Sequence, residues 1–272
     1  DVVTEIHASY IRAGANILKS NTFGANAMKM QGSGYAVEDA VLAAFENARA
    51  AFEKVAGEKR AAFAKAGAAA EGTAGARTDA ISGSHATLQQ GKQFVALDLG
   101  PTGKLLAPYG DLQFEEAVAL YAETVRAGVK ANADLILVET MSDTYEAKAA
   151  ILAAKENSDL TVFVTFTFDK SGKLLNGADV ETAVLMAEGL GVDAVGFNCG
   201  LGPDLVAQLL PRARKVTTLP LIANPNAGLP VEKDGKTIFT TGPEEFAAYM
   251  LDVYREGGAV LGGCCGTDPN YI

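Results

Sequence analysis

Cysteine occurs only three times in the chain, at Cys199, Cys264 and Cys265, and each lies in a glycine-rich setting, VGFNCG for the first and LGGCCGT for the adjacent pair. Each setting directly follows a short apolar run with the look of a strand. If one strand intervenes between 193–197 and 259–262, the usual interstrand spacing puts them about 10 Å apart, a gap that side chains and loops can close. Three soft thiolates suit Zn2+, and three protein ligands leave a fourth position open for water or substrate, as in catalytic zinc sites. Two plainer readings stand beside this one. A buried cysteine often acts as a small hydrophobe, and a vicinal pair can be structural or form a strained disulfide.

The elements needed to bring these sulfurs together can be read from periodicity. Short β-prone runs at 15–20, 94–99, 134–138, 161–166, 193–197, 220–223 and 259–262 alternate with amphipathic stretches near 1–13, 35–56, 114–130, 144–156, 179–190, 203–215 and 243–256. That alternation predicts βα units around a parallel sheet. Ser142 and Asp143 are candidate caps for the helix at 144–156, and Pro203 and Pro243 suit a first helical turn. Polar, metal-capable or glycine-rich residues follow every strand: Asn21-Thr22-Phe23, Gly100-Pro101-Thr102, Glu139-Thr140, Thr167-Phe168-Asp169, Asn198-Cys199-Gly200, Asn224-Pro225-Asn226 and Cys264-Cys265-Gly266. An open doubly wound sheet would gather such residues at one switch point, whereas a barrel spreads them around its mouth. The expected fold class is therefore α/β, a (β/α)8 TIM barrel with its first strand and last helix missing from the visible pattern. A single domain is expected over 1–272, with a surface insertion at 57–92 rich in Ala, Gly and Thr, partly helical at first and then loop.

The composition is that of a globular protein, 49% hydrophobic and 21% charged in 272 residues. A formal charge of −10 repels polyphosphate backbones and anionic lipid surfaces, so nucleic acid and membrane are not expected partners. With no signal-like N-terminus and no bilayer-length apolar run, a cytoplasmic location is expected.

Six segments in order, SNTFGAN, DLGPTGKLL, LVETMSDTYEAKAA, GFNCGLGPD, NPNAGLP and GGCCGTDPNYI, resemble the homocysteine S-methyltransferase family, particularly the homocysteine-binding barrel of its cobalamin-dependent members. The likeness runs over 1–56 and 93–272. It implies a zinc-dependent methyltransferase that forms methionine from homocysteine, with Cys199, Cys264 and Cys265 as zinc ligands and Glu139 as partner of the substrate ammonium; the other reading of Glu139 is a salt bridge inside the barrel mouth. Methylcobalamin on a partner protein or a missing domain is the donor the resemblance favours; betaine and S-methylmethionine would use the same zinc chemistry. The family's opening Asp-Gly-x-x-Gly motif has no counterpart here, and the insertion at 57–92 is larger than the family usually carries. Two other classes remain open, a non-catalytic zinc-binding barrel and a redox barrel working through a Cys264-Cys265 disulfide.

The remaining polar residues have paired readings. Asn21 and Thr22, with Phe23 packed nearby, either contact the substrate or form an ordinary loop. Asn198 and Asn226 either donate N–H to ligating sulfur or brace their loops. Asp98 and the GPTG turn are expected to be structural, Asp143 a helix cap and Lys148 a solvated helix residue. His7 is expected on a helix surface and His85 in the insertion.

Overall fold

A computed structural model of the chain describes residues 1–71, 92–233 and 235–272. Its helices begin and end where local chemistry dictates. α1 (Val2–Ala13) is capped by Asp1, whose side chain accepts from the Val3 N–H, and stops at Gly14, which takes the left-handed conformation with φ 109°. After β1 (Ile17–Lys19), a single turn α2 (Ala27–Met30) leads to α3 (Val37–Glu71). β2 (Phe94–Leu99) precedes α4 (Phe114–Lys130), which opens on a capping box between Gln113 and Glu116. β3 (Leu135–Met141) feeds α5 (Thr144–Asn157), where Asp143 is the cap, and β4 (Thr161–Phe166) feeds α6 (Val180–Gly189), capped by Asp179. β5 (Ala194–Asn198) and β6 (Leu221–Asn224) flank α7 (Pro203–Arg214). A hairpin, β7 (Pro230–Lys233) and β8 (Lys236–Phe239), then precedes α8 (Pro243–Arg255) and β9 (Gly258–Leu261). Pro203 and Pro243 both stand in a first helical turn.

Seven strands form one parallel sheet in the order β1-β2-β3-β4-β5-β6-β9. Laid flat, its edge strands would lie roughly 29 Å apart at the usual spacing. Instead Lys19 of β1 and Leu261 of β9 line the same cavity, together with Leu137 from β3. The sheet is therefore curled into a partial (β/α) barrel, with β1 and β9 facing each other across an unpaired seam.

Strand alternation decides which residues face inward. Val95, Leu97, Leu99, Ile136, Val138, Val162, Val164, Val195, Phe197, Leu221 and Ala223 belong to the large core shared with the helices. The residues between them, Ala96, Leu135 and Leu137 with Ile17, Phe94 and Phe163, form a separate apolar floor inside the barrel. Continuing each inward row toward the carboxyl end of its strand gives Lys19, Asp98, Glu139, Thr165, Asn198 and Asn224. The interior thus changes from apolar to polar along its axis, and the polar end is where the cysteines lie.

The seven strands and their parallel order match expectation, and the missing strand corresponds to the seam. The hairpin β7–β8 has no counterpart in the expected pattern, whereas α3 runs on to Glu71 as the helical first part of the expected insertion. The rest of the expected insertion, including His85, lies outside the described residues. His7 corrects the sequence reading: it is 8% exposed with no partner for Nε2, because the inner face of α1 lies over the seam instead of in solvent. Burial holds its imidazole below the usual pKa. Among the described residues no helix is long and apolar enough to cross a membrane.

Candidate metal and substrate site

Cys199 follows β5 and Cys264-Cys265 follow β9, and β6 lies between those strands. All three cysteines are free, with their Sγ atoms within 4.8 Å of one another. The Cys199 and Cys265 sulfurs are 3.7 Å apart. Tetrahedral Zn–S bonds of about 2.3 Å put sulfurs about 3.8 Å apart; the Cys199–Cys265 pair already stands at that separation, and all three sulfurs lie within 4.8 Å of one another, within about 1 Å of it. No fourth His, Cys, Asp or Glu joins the group among the described residues.

Backbone strain and hydrogen bonds aim these sulfurs. Cys199 has φ 57° and Gly200 φ 66°, consecutive left-handed residues that turn the chain sharply off β5. A side chain at Gly200 would press on Thr167 at 2.9 Å, so glycine is needed for space as well as for φ. The second loop is tied to β6 and its extension: Cys264 N–H donates to the Pro225 carbonyl at 2.8 Å, and Cys265 N–H to Asn226 Oδ1 at 3.1 Å. Asn226 therefore braces the loop. The Thr267 hydroxyl donates to the Cys264 carbonyl at 2.7 Å.

Asn198 reaches both Thr140 and a cysteine sulfur. Its Oδ1 accepts from the Thr140 N–H at 2.8 Å, while Nδ2 donates to the Thr140 hydroxyl at 2.7 Å and approaches Cys264 Sγ at 3.9 Å. Thr140 needs that clamp: it is β-branched and sits at φ 62°, where the β3–β4 register shifts between Val138 and Met141. The irregularity falls immediately beside Glu139.

The thiols influence one another. A hydrogen bond from Cys264 holds Cys199 below the ordinary thiol range, while the same pairing, followed by burial, pushes Cys264 up. Burial raises Cys265.

Glu139 is 5% exposed, and its Oε2 accepts from Lys19 Nζ at 2.8 Å. Burial pulls the Lys19 ammonium down, but the Glu139 and Asp98 carboxylates outweigh it and hold its pKa above the usual lysine value. Asp98 is buried with Oδ1 unpartnered; burial, then repulsion from Glu139, raises it well above the carboxylate range against the pull of Lys19. A cavity of about 750 Å³ opens beside this cluster, lined by Tyr10, Lys19, Asn224, Cys264 and Thr267 among others.

The NTF segment divides. The Thr22 hydroxyl bonds with Ser20 Oγ and with both backbone groups of Asp98, tying the end of β1 to β2. Asn21 is exposed, and Phe23, 39% exposed, lays its ring over Gly100, where an added Cβ would come within 2.5 Å. Lys19 and Glu146 escaped the sequence reading. Glu146 is a buried carboxylate that accepts from Thr102 N–H, Thr102 Oγ1 and Tyr121 Oη at 2.7, 2.6 and 3.0 Å, anchoring the loop after β2. Inward alternation from Ile17 would have flagged Lys19; Glu146, on a helix, carries no comparable signal.

Known proteins share this architecture and sequence. The methionine synthases of Mycobacterium leprae and Mycobacterium tuberculosis are 29% and 28% identical over 278 aligned residues, covering 100% of this chain. The chain spans only 21% of the length of each. The metallated form of the Escherichia coli homocysteine methyltransferase MmuM superposes with a TM-score of 0.75 over 98% of this chain and 80% of its own, at 23% identity, a likeness of fold. The family model for homocysteine S-methyltransferase matches residues 1–272. This partial barrel, with three cysteines converging at its mouth, belongs to the homocysteine S-methyltransferase family.

Proposed function

We propose that the chain binds Zn2+ through Cys199, Cys264 and Cys265 and presents homocysteine as a thiolate for methylation to methionine. The observation that carries this reading is the convergence of three sulfurs from two distant segments, all within 4.8 Å of one another and one pair at 3.7 Å. When bound, zinc supplies the Lewis acidity that removes the proton from a thiol of ordinary pKa about 8.5 and keeps the sulfur nucleophilic near neutrality. The chain then needs no histidine base, and none of its described histidines stands at a strand's carboxyl end.

The protein residues supply position. Asn198 orients Cys264 and holds the Glu139-Thr140 bend; Asn226 fixes the backbone of Cys265. Glu139, with Asp98 beside it, offers the negative seat for the substrate ammonium, and Phe23 and Asn21 stand on the exposed rim. The substrate sulfur forms a bond to the donor's methyl carbon, and the donor keeps the electron pair of the bond that breaks. Methylcobalamin carried by another domain or a partner protein is the donor favoured, because the matched methionine synthases are far longer than this chain. Betaine and S-methylmethionine are the competing donors.

The test compares wild type with Cys199→Ser for zinc stoichiometry, proton release on adding homocysteine, and methionine formed from each of the three donors. Wild type is expected to bind one zinc and release a proton with homocysteine, and the variant to lose both. Full zinc content in the variant overturns the ligand assignment. A zinc that binds without proton release on homocysteine addition would favour a non-catalytic metal site.

A further inference from the structure

Lys19 lies inside the barrel on the inward row of β1 and lines the cavity that Cys264 also lines. His7 is the other basic residue on that lining, and burial disfavours its charged form. Lys19 is thus the fixed cation of the described cavity wall. Its ammonium has three donors, of which one is spent on Glu139 at 2.8 Å. Asp98, 5% exposed, holds an unpartnered Oδ1 within the same charge cluster. The cluster therefore has acceptor capacity for an incoming ammonium and donor capacity for an incoming carboxylate, beside the cavity that Cys264 lines. An α-amino acid bearing a thiol carries those three groups.

Resting on the functional reading above, we infer that Lys19 is the specificity residue that binds the substrate's α-carboxylate, with the Lys19–Glu139 pair reading the two charges of the zwitterion. The ammonium falls to Glu139 and Asp98, the carboxylate to the free donors of Lys19, and the thiol to the metal. A purely structural Lys19, serving only as counterion to Glu139 and Asp98, would not distinguish ligands by their carboxylate.

Calorimetric titration of the zinc-loaded protein with three thiols tests this. These are L-homocysteine, 3-aminopropane-1-thiol, which lacks the carboxylate, and 4-sulfanylbutanoate, which lacks the ammonium. Lys19→Met is expected to weaken homocysteine and 4-sulfanylbutanoate by about tenfold to a hundredfold, the range for a charge-assisted hydrogen bond, and to leave 3-aminopropane-1-thiol within about threefold. Lys19→Arg should recover part of the loss. Where Lys19→Met fails to fold because Glu139 is left unpaired, Lys19→Met/Glu139→Gln is compared with Glu139→Gln alone, and the same selective loss for 4-sulfanylbutanoate is expected. Equal loss for all three thiols, or an unchanged preference for the carboxylate, overturns the assignment of Lys19. A wild-type protein that takes up zinc but binds none of the three overturns the functional reading itself.

Discussion

Asn198→Ala tests whether one amide holds the bend that carries Glu139. The side chain is 1% exposed and makes two hydrogen bonds to Thr140, at 2.8 and 2.7 Å. Two neutral hydrogen bonds contribute about 1 kcal/mol each, and stranding the Thr140 N–H adds roughly 1 kcal/mol. Against this, freeing Thr140 from its φ of 62° returns part of a strain of about 1–3 kcal/mol. The expected net loss is about 1.5–3 kcal/mol, or about 3–12 °C in Tm for a chain of this size. The chain has no tryptophan, so unfolding of the metal-free protein is followed by far-UV circular dichroism in urea and by heating. Thr140→Gly removes the β-branched strain along with one hydrogen bond and is expected to be near neutral. In the Thr140→Gly background the hydroxyl bond is already gone and no strain is released, so Asn198→Ala should cost about 2 kcal/mol there, one hydrogen bond plus the stranded N–H. A loss below about 0.5 kcal/mol in either background would refute the clamp.

Other consequences can be checked separately. Burial and the neighbouring Glu139 raise Asp98 well above the ordinary aspartate pKa of about 3.9, so the folded state binds the extra proton and stability falls as pH rises from that ordinary value toward the folded one. Asp98→Asn should therefore be more stable than wild type at pH 7 in urea, with the gap closing below about pH 4; a constant gap would contradict this. Tyr121→Phe leaves Glu146 without the hydroxyl at 3.0 Å and should cost about 1.5–3 kcal/mol in thermal stability without altering zinc content. The Cys264 and Cys265 thiols are raised, so zinc uptake near pH 7 should expel a proton from each and weaken as pH falls. Titrations in two buffers of different ionisation enthalpy measure that release, and buffer-independent heats would contradict it.

What the sequence discloses about this molecule follows from how far each interaction reaches. The strands were readable because a buried parallel sheet writes nearly continuous apolar runs, and Asp143, Pro203 and Pro243 marked helix starts through contacts within a turn. The cysteines were readable because their rarity and glycine setting are local, while barrel closure supplies the proximity. Other features depend on partners brought near only by folding. His7 looks like any polar residue of an amphipathic helix until α1 covers the seam. Alternation from Ile17 can mark Lys19 as inward, but its partner, Glu139 at 2.8 Å, is set only when folding brings β1 and β3 together. Glu146 acquires its meaning from Thr102 and Tyr121, 44 and 25 residues away. The cysteines thus announce themselves through residue type, whereas the partners of the charges beside them are set only through curvature. Two family members can keep the same cysteines while differing at the position of Lys19, and the order of affinities for amino, carboxyl and zwitterionic thiols would then differ between them although the metal chemistry is the same.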